Sequence, residues 1–365
     1  MNNKRLPITN HYIRIERKMS KLIAYFDSSH DMPEEIVMAA GMTPYKILGD
    51  VHQTNDPANQ YIQEFMCPAA RSILTESLER SKDWDGIVIA HGCDATNRFY
   101  DVYKLHVDID FLYWVNKPMN NNKTAAKFFK KELEHMIKTF EKKFNVKITD
   151  QKLKEAIATS NTIKKKLQEL SAMRAEKDIP NKEYFDICVK AVQLPRDELI
   201  ALLDDTIKNW MDKPDFPDDK MKIMLTGSDI TYSEWMELLD EADLRVVRDD
   251  LSVGERYYAL LIPEGLDDPL DAIVKYHLNI PRPSTKNPAD PRLDYLMKAM
   301  EESNLNLVVS QNLKFCEPYA FDSVFTTNAL KEEGYNVIHL EREFSPTKDM
   351  STRTRLEAFA EIGLM

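Results

Sequence analysis

Three of the four cysteines occupy positions where a thiol can do chemistry. Cys93 follows the apolar run in IVIAHGCDATN, Cys316 follows the one in LVVSQNLKFCEPY, and Cys67 stands directly before Pro68 at a predicted helix start. The amino end of a helix offers free backbone N–H groups and a positive potential, which lower a thiol pKa and stabilise a thiolate. These contexts favour metal ligation by Cys67, Cys93 and Cys316.

The spacing of these cysteines does not by itself decide their role. The chain has no CxxC pair, and the wide gaps match no local zinc or ferredoxin pattern. Buried structural cysteines are therefore about equally compatible with the positions alone. Cys188 differs from the other three, because YFDICVKAV reads as the interior of a helix, where a thiol is buried as a small apolar group.

The elements that must position these thiols alternate between strands and helices. Apolar runs predict strands near residues 21–26, 86–90, 221–226, 244–247, 305–309 and 335–340, with helices between them. Such alternation predicts an α/β fold of two doubly wound parallel-sheet lobes, with functional loops at the carboxyl ends of the strands. Residues from about 123 to 213 show helical spacing and no convincing strand, so they are predicted to form a helical region that joins the lobes.

Three domains follow from this pattern. Residues 1–150 are predicted to form an N-terminal α/β lobe with Cys67 and Cys93, residues 151–215 a helical connecting region, and residues 216–365 a C-terminal α/β lobe with Cys316. A chain of 365 residues is long enough for more than one hydrophobic core.

Composition excludes several classes of partner. The net charge of -11 would repel phosphate backbones, which argues against nucleic acid. No apolar run is long enough to span a bilayer and the amino terminus lacks an apolar leader, so we expect no membrane partner and a cytoplasmic location. Gly227 follows a predicted strand, but the Gly-Lys-Ser/Thr sequence of a phosphate loop is absent and no ATP site is expected.

Four further segments carry a family resemblance: PEEIVMAAGMTP, KIMLTGSDI, VVRDDLSVGER and STRTRLEAFAEI. Together with the cysteine contexts, and in this order, they resemble the 2-hydroxyacyl-CoA dehydratase and benzoyl-CoA reductase superfamily over nearly the whole chain. The resemblance implies two lobes that hold one four-iron four-sulfur (4Fe-4S) cluster between them. Its ligands would be Cys67, Cys93 and Cys316, with the fourth iron left to water or substrate, and Cys188 has no counterpart.

The resemblance also implies a function. Members eliminate water from a 2-hydroxyacyl-CoA through a ketyl radical, after one-electron activation by a separate ATP-dependent iron–sulfur activator. The implied partners are a homologous second dehydratase subunit, that activator and the acyl-CoA substrate. One alternative is a subunit of an ATP-dependent benzoyl-CoA reductase, and another is a non-catalytic scaffold or maturation protein. Whether the chain is the substrate-binding or the relay subunit stays open, although residues 48–50 lack a glutamate that some catalytic subunits carry there.

Other polar residues have simpler explanations beside any functional one. Ser28 follows the first strand, where related subunits place polar groups facing the substrate, so it is the catalytic candidate, with an ordinary polar loop as the alternative. Asp94 is interpreted first as a helix cap. Glu34 and Glu35 open a predicted helix, and complementing the helix dipole is taken as a sufficient explanation of both.

Overall fold

The structure is a computed structural model that describes residues 20–286 and 288–363. It contains two four-stranded sheets in which every pairing is parallel. The first sheet has the order β2-β1-β3-β4 and the second the order β6-β5-β7-β8. The strands are β1 (Leu22–Phe26), β2 (Thr43–Lys46), β3 (Gly86–Ala90), β4 (Leu112–Val115), β5 (Met221–Gly227), β6 (Leu244–Asp249), β7 (Leu307–Leu313) and β8 (Asn336–Arg342).

Helices connect these strands and also fill the stretch between the two sheets. In chain order they are α1 (Glu34–Ala39), α2 (Asp56–Asn59), α3 (Pro68–Arg80), α4 (Asp94–His106), α5 (Lys123–Phe144), α6 (Asp150–Met173), α7 (Asn181–Ala191), α8 (Arg196–Met211), α9 (Glu234–Glu241), α10 (Glu255–Tyr258), α11 (Pro269–Asn279), α12 (Asp290–Glu302), α13 (Glu317–Glu332) and α14 (Met350–Ile362). The predicted α/β class with parallel sheets in both halves is confirmed.

Both sheets follow the same topological rule. In each sheet, the second strand in chain order pairs with one side of the first strand, and the third strand pairs with the other side of the first. The fourth strand pairs with the third at the far edge. The direction of winding therefore reverses between β1 and β3 and again between β5 and β7. Open α/β sheets bind their ligands at this reversal, beyond the carboxyl ends of the strands. The loops after these four strands are thus where a site is expected.

Burial on both faces explains why the strands read as continuous apolar runs. In β1, Ile23 and Tyr25 pack on one face with α1, α5, α6 and α11. Ala24 and Phe26 pack on the other face with residues of α3 and α4. Because a parallel sheet is covered by helices on both sides, neither face keeps a polar stripe.

Two strands of the first sheet, β2 and β4, were missed by sequence analysis. Both are four residues long, and both lie at an edge of the sheet. Strand β2 contains Pro44, which has no N–H to donate and is tolerated at an edge, where one side of the strand makes no ladder bonds. Short length and proline both hide the signal that a strand prediction relies on.

Gly227 owes its identity to packing between strands. Its φ of 129° lies outside the range that residues with a side chain adopt easily, and an added Cβ would lie 1.8 Å from the carbonyl oxygen of Gln311 on β7. Glycine is therefore required where β5 turns out of the sheet. This packing explains Gly227 without a phosphate-binding role.

The explanation of Glu34 and Glu35 by the helix dipole was insufficient. Both side chains are about 1% exposed and lie in a buried ionic network. Glu34 pairs with Arg196 at 2.9 Å, while Glu35 accepts from Ser160 at 2.9 Å. Glu35 also lies 3.8 Å from Lys164 and 3.3 Å from His277.

This network binds α1 to helices that are distant in the sequence. Burial alone would raise the pKa of Glu35, but His277 and Lys164 hold it down at about 2. Because the carboxylate is charged and satisfied, it fixes α1, and the loop before it, against α6 and α11.

Candidate functional site

Each of the three cysteines singled out from the sequence caps a helix. Cys67 is the N-cap residue of α3, Cys93 that of α4 and Cys316 that of α13. Cys93 and Cys316 also follow equivalent strands, because β3 and β7 are the third strands of their sheets. Two of the three helix starts, those of Cys67 and Cys93, thus belong to the lobe of the first sheet, and that of Cys316 belongs to the lobe of the second sheet.

The structure brings the three thiols close enough to influence one another electrostatically. Burial, together with the nearby Cys67 thiol, raises the pKa of Cys93 to about 11. Burial also raises the pKa of Cys316 well above its ordinary value, with Cys67 and Cys93 adding to the effect. All three side chains nevertheless stay partly exposed, and none forms a disulfide.

Backbone N–H groups of the first helical turns oppose this effect of burial. Those of Ala69 and Ala70 lower the pKa of Cys67, whose thiol burial otherwise raises. The N–H groups of α4 and α13 act likewise on Cys93 and Cys316. No thiol accepts a full capping hydrogen bond, so its lone pairs stay available to another ligand.

Cys188 is separate from this group. It lies in α7 and is buried in the hydrophobic core that includes residues of the second sheet. Burial raises its pKa to about 12. Its environment is that of a small apolar side chain.

The donor set fits a cluster better than a single ion. Across residues 20–286 and 288–363, no three His, Cys, Asp or Glu side chains converge tightly enough to hold one metal ion. An iron–sulfur cubane has its irons at separate corners, so its thiolate ligands need not meet at one point. Three soft thiols at three helix starts match that requirement.

Ser28 lies against the loop that carries Cys93. Its hydroxyl is buried and has no hydrogen-bond partner among the described residues. A Cβ added to Gly92 would stand 1.9 Å from the Ser28 Oγ and 2.9 Å from its Cβ. Glycine before Cys93 therefore allows the loops after β1 and β3 to touch, and it leaves the Ser28 hydroxyl against the loop that carries Cys93.

Asp27 organises the loop that contains Ser28. Its carboxylate accepts from the backbone N–H groups of Asp31 at 2.7 Å and Met32 at 2.9 Å. Lys46 of β2 pairs with the same carboxylate at 2.6 Å, and both side chains are buried. The loop conformation, including the left-handed φ of 66° at His30, is thus held by a buried ion pair.

Two residues that sequence analysis did not single out face the thiols. Asp229 follows β5, and its charge raises the pKa of Cys67, Cys93 and Cys316. Arg342, at the end of β8, lowers the pKa of Cys67 and donates to the carbonyl of Asp229 at 2.6 Å. Asp229 stands in KIMLTGSDI directly beyond a strand end, so the strand-end rule could have identified it.

The interpretation of Asp94 as a cap was wrong. Cys93 is the N-cap residue, and Asp94 lies in the first turn of α4 with its side chain exposed. His91, which follows β3 two residues before Cys93, places its Nδ1 3.2 Å from the carbonyl oxygen of Lys117. This contact holds the start of the Cys93 loop to the segment after β4.

Comparison with known proteins identifies the family. The family model described as "2-hydroxyglutaryl-CoA dehydratase, D-component" matches residues 30–362. The chain belongs to this family. None of the helices within the described residues is both long and apolar enough to cross a membrane.

The D-component family relatives include dehydratase and reductase subunits. The chain is 26% identical over 338 residues to the (R)-phenyllactyl-CoA dehydratase beta subunit of Clostridium sporogenes, covering 90% of this chain and 88% of that protein. It is 23% identical to the (R)-2-hydroxyglutaryl-CoA dehydratase beta subunit of Acidaminococcus fermentans, covering 90% and 89%. It is 22% identical to a benzoyl-CoA reductase subunit of Thauera aromatica, covering 82% and 79%.

The contact between Ser28 and Gly92 yields a prediction. Gly92→Ala should destabilise the protein by roughly 1–3 kcal/mol, since the new methyl group overlaps the serine side chain. In a Ser28→Gly background the same substitution should cost much less, because both overlapping atoms are gone. Urea unfolding of the two single variants and the double variant measures the coupling. Equal costs of Gly92→Ala in both backgrounds would contradict the contact.

Proposed function

We propose that the chain is the iron–sulfur, beta-type subunit of a 2-hydroxyacyl-CoA dehydratase, a hydro-lyase. The observation that carries the proposal is the gathering of Cys67, Cys93 and Cys316 at three helix starts, drawn from both sheets, in a member of the D-component family. Two of its relatives are named as beta subunits of dehydratases that act on acyl-CoA substrates.

In this proposal the three thiolates hold one 4Fe-4S cluster at the edge shared by the two lobes. When bound, such a cluster supplies one-electron transfer and, at an iron without a cysteine ligand, Lewis acidity. The first N–H groups of α3, α4 and α13 stabilise the thiolates in place of water. The Arg342 guanidinium adds a positive charge near Cys67.

Asp229 has a distinct position beside these ligands. Burial raises its pKa, while Arg256, 3.9 Å away, and Lys46 oppose that effect. When it is ionised, its carboxylate raises the pKa of all three thiols.

The chemistry that needs such a site is the removal of water from a 2-hydroxyacyl-CoA, whose β-hydrogen is not acidic. One-electron reduction of the thioester carbonyl gives a ketyl radical, which expels the 2-hydroxyl group as hydroxide and makes the β-proton removable. The electron returns at the end of the cycle. We assign to Ser28 a hydrogen bond to the substrate from its buried hydroxyl, which has no partner in the part of the chain that the structure describes.

The proposed assembly contains a homologous second subunit and a separate ATP-dependent iron–sulfur activator. The beta-subunit names of the relatives support the partner subunit. The activator is required because a thioester carbonyl resists one-electron reduction and the sequence has no phosphate loop of its own.

The cluster assignment predicts the behaviour of four cysteine variants. Protein prepared without oxygen should contain about four irons per chain. Cys67→Ala, Cys93→Ala and Cys316→Ala should each lose the cluster, because each removes one of three thiolate ligands. Cys188→Ala is the matched control and should retain it, since that thiol is buried in α7.

Iron and sulfide analysis with the visible spectrum measures this set. Loss of iron in Cys188→Ala with retention in one of the other three would refute the ligand assignment. Iron near zero in the unmodified chain after anaerobic reconstitution would instead favour a scaffold with buried thiols.

The function is tested by reconstitution. The chain, its partner subunit, activator, ATP and reductant are combined under anaerobic conditions, and each component is omitted in turn while dehydration of several 2-hydroxyacyl-CoA thioesters is followed. We expect turnover only with all components present. Sustained dehydration without the activator or ATP would refute the radical mechanism.

The similarity to a benzoyl-CoA reductase subunit supports a second candidate function. The two differ in the fate of the electron, because a dehydratase recovers it and a reductase passes it to the product. In the same reconstitution, many turnovers per ATP hydrolysed favour the dehydratase. Consumption of ATP and reductant in proportion to product favours the reductase.

A further inference from the structure

Two buried lysines share a single carboxylate beside the first sheet. The Nζ atoms of Lys117 and Lys286 lie 2.7 Å and 3.5 Å from the same oxygen of Asp31. All three side chains are at most 5% exposed. Burial alone would raise the pKa of Asp31, but the two ammonium groups hold it well below its ordinary value. The arrangement therefore places two lysine side chains on one carboxylate oxygen, and burial lowers the pKa of Lys117.

The surrounding buried groups are paired with other cations. Asp27 is held by Lys46, Glu34 by Arg196, and Glu35 by Lys164. Burial lowers the pKa of both His30 and His277, so neither ring is the source of a further charge. Within the described residues, this array consists of the carboxylates Asp27, Asp31, Glu34 and Glu35 and the cations Lys46, Lys117, Lys164, Lys286 and Arg196.

Within the described residues, Lys117 and Lys286 therefore share one carboxylate instead of having a counter-charge each. A buried ammonium group without one is strongly destabilising, and proteins normally pair such a group or bind an ion there. The shared carboxylate is Asp31, whereas Asp27, Glu34 and Glu35 lie against the separate cations Lys46, Arg196 and Lys164.

Polar groups without hydrogen bonds mark the same place. The Lys286 Nζ is buried and makes no hydrogen bond among the described residues. The hydroxyl oxygens of Ser284 and Thr285, in the loop before it, are also buried and unpartnered. A cavity of about 20 Å³ is lined in part by Lys117, His277 and Lys286. A cavity of this size has room for about one water-sized group.

We propose that Lys117 and Lys286 form a binding site for a carboxylate, which gives the unpartnered Lys286 ammonium group an acceptor and a counter-charge of its own. A carboxylate fits better than a phosphate, because it is flat and can place a single oxygen in a small cavity. Two sources supply such a group: a free small carboxylate, and the far end of a dicarboxylic acyl chain. The proposal rests on this geometry and not on the iron–sulfur assignment.

The site adjoins the loops that carry the candidate functional residues. Asp31 follows Ser28 in the loop after β1, and its side chain also accepts from Ser29 at 2.6 Å. The carbonyl of Lys117 contacts His91, two residues before Cys93. A carboxylate bound here would therefore lie beside the proposed substrate region.

The test measures thermal unfolding of the whole chain, prepared without oxygen, in a buffer low in carboxylates. Acetate should raise the melting temperature by several degrees more than chloride at equal ionic strength. Lys286→Met should abolish this difference. Lys208→Met, which removes an exposed lysine of α8, is the matched control and should retain it.

The stability of Lys286→Met without any added ligand distinguishes an excess charge from a structural ion pair. Without added carboxylate, Lys286→Met should be as stable as the unmodified chain or more stable, because it removes an uncompensated charge. A clear loss of stability relative to Lys208→Met would overturn the proposal. Equal acetate effects in the unmodified chain and in Lys286→Met would overturn it as well.

Three further ligands identify the source and test the chemistry. Stabilisation by glutaryl-CoA at much lower concentration than acetate indicates the acyl chain as the source, whereas equal potency indicates a free carboxylate. Coenzyme A and inorganic phosphate should have no effect that depends on Lys286. If they raise the melting temperature through Lys286 while acetate does not, the carboxylate assignment is wrong. None of these outcomes depends on dehydratase activity.

Discussion

A thiolate needs positive potential that does not itself compete for the metal, and the amino end of a helix provides it through N–H groups that the helix leaves unpaired. In the proposed site, Cys67, Cys93 and Cys316 would use this arrangement, since each is the N-cap residue of a helix. The requirement that three such helix ends meet explains much of the architecture. Each sheet must be parallel, so that its helices start at the same edge, and the two edges must face each other.

The cost of the arrangement appears in the first lobe. To hold the loop after β1 against the loop of Cys93, the protein buries a chain of carboxylates and cations around α1. Such pairs contribute little net stability compared with apolar packing, but removing one partner is strongly destabilising. The network therefore fixes geometry, and we propose that a ligand adds stability where Lys117 and Lys286 share Asp31.

Sequence patterns predicted the parallel sheets and the helix starts because these depend on local signals. Pro68 after Cys67 and the apolar runs before Cys93 and Cys316 are visible without any tertiary information. The edge strands β2 and β4 were missed because they are short, and β2 contains a proline. The buried roles of Glu34 and Glu35 depend on partners more than 100 residues away, which periodicity cannot reveal. The domain boundaries near residues 150 and 215 stay predictions.

The central claim is that three cysteines hold a cluster in which one iron has no cysteine ligand. Mössbauer spectroscopy of the chain reconstituted anaerobically with iron-57 tests it directly, because the spectrum resolves irons in different coordination. We expect two kinds of iron site in a ratio of about 3:1, and only the minor component should change when a small thiol or cyanide is added. Four equivalent irons that do not respond to added ligand, or the absence of any cluster signal, would contradict the claim.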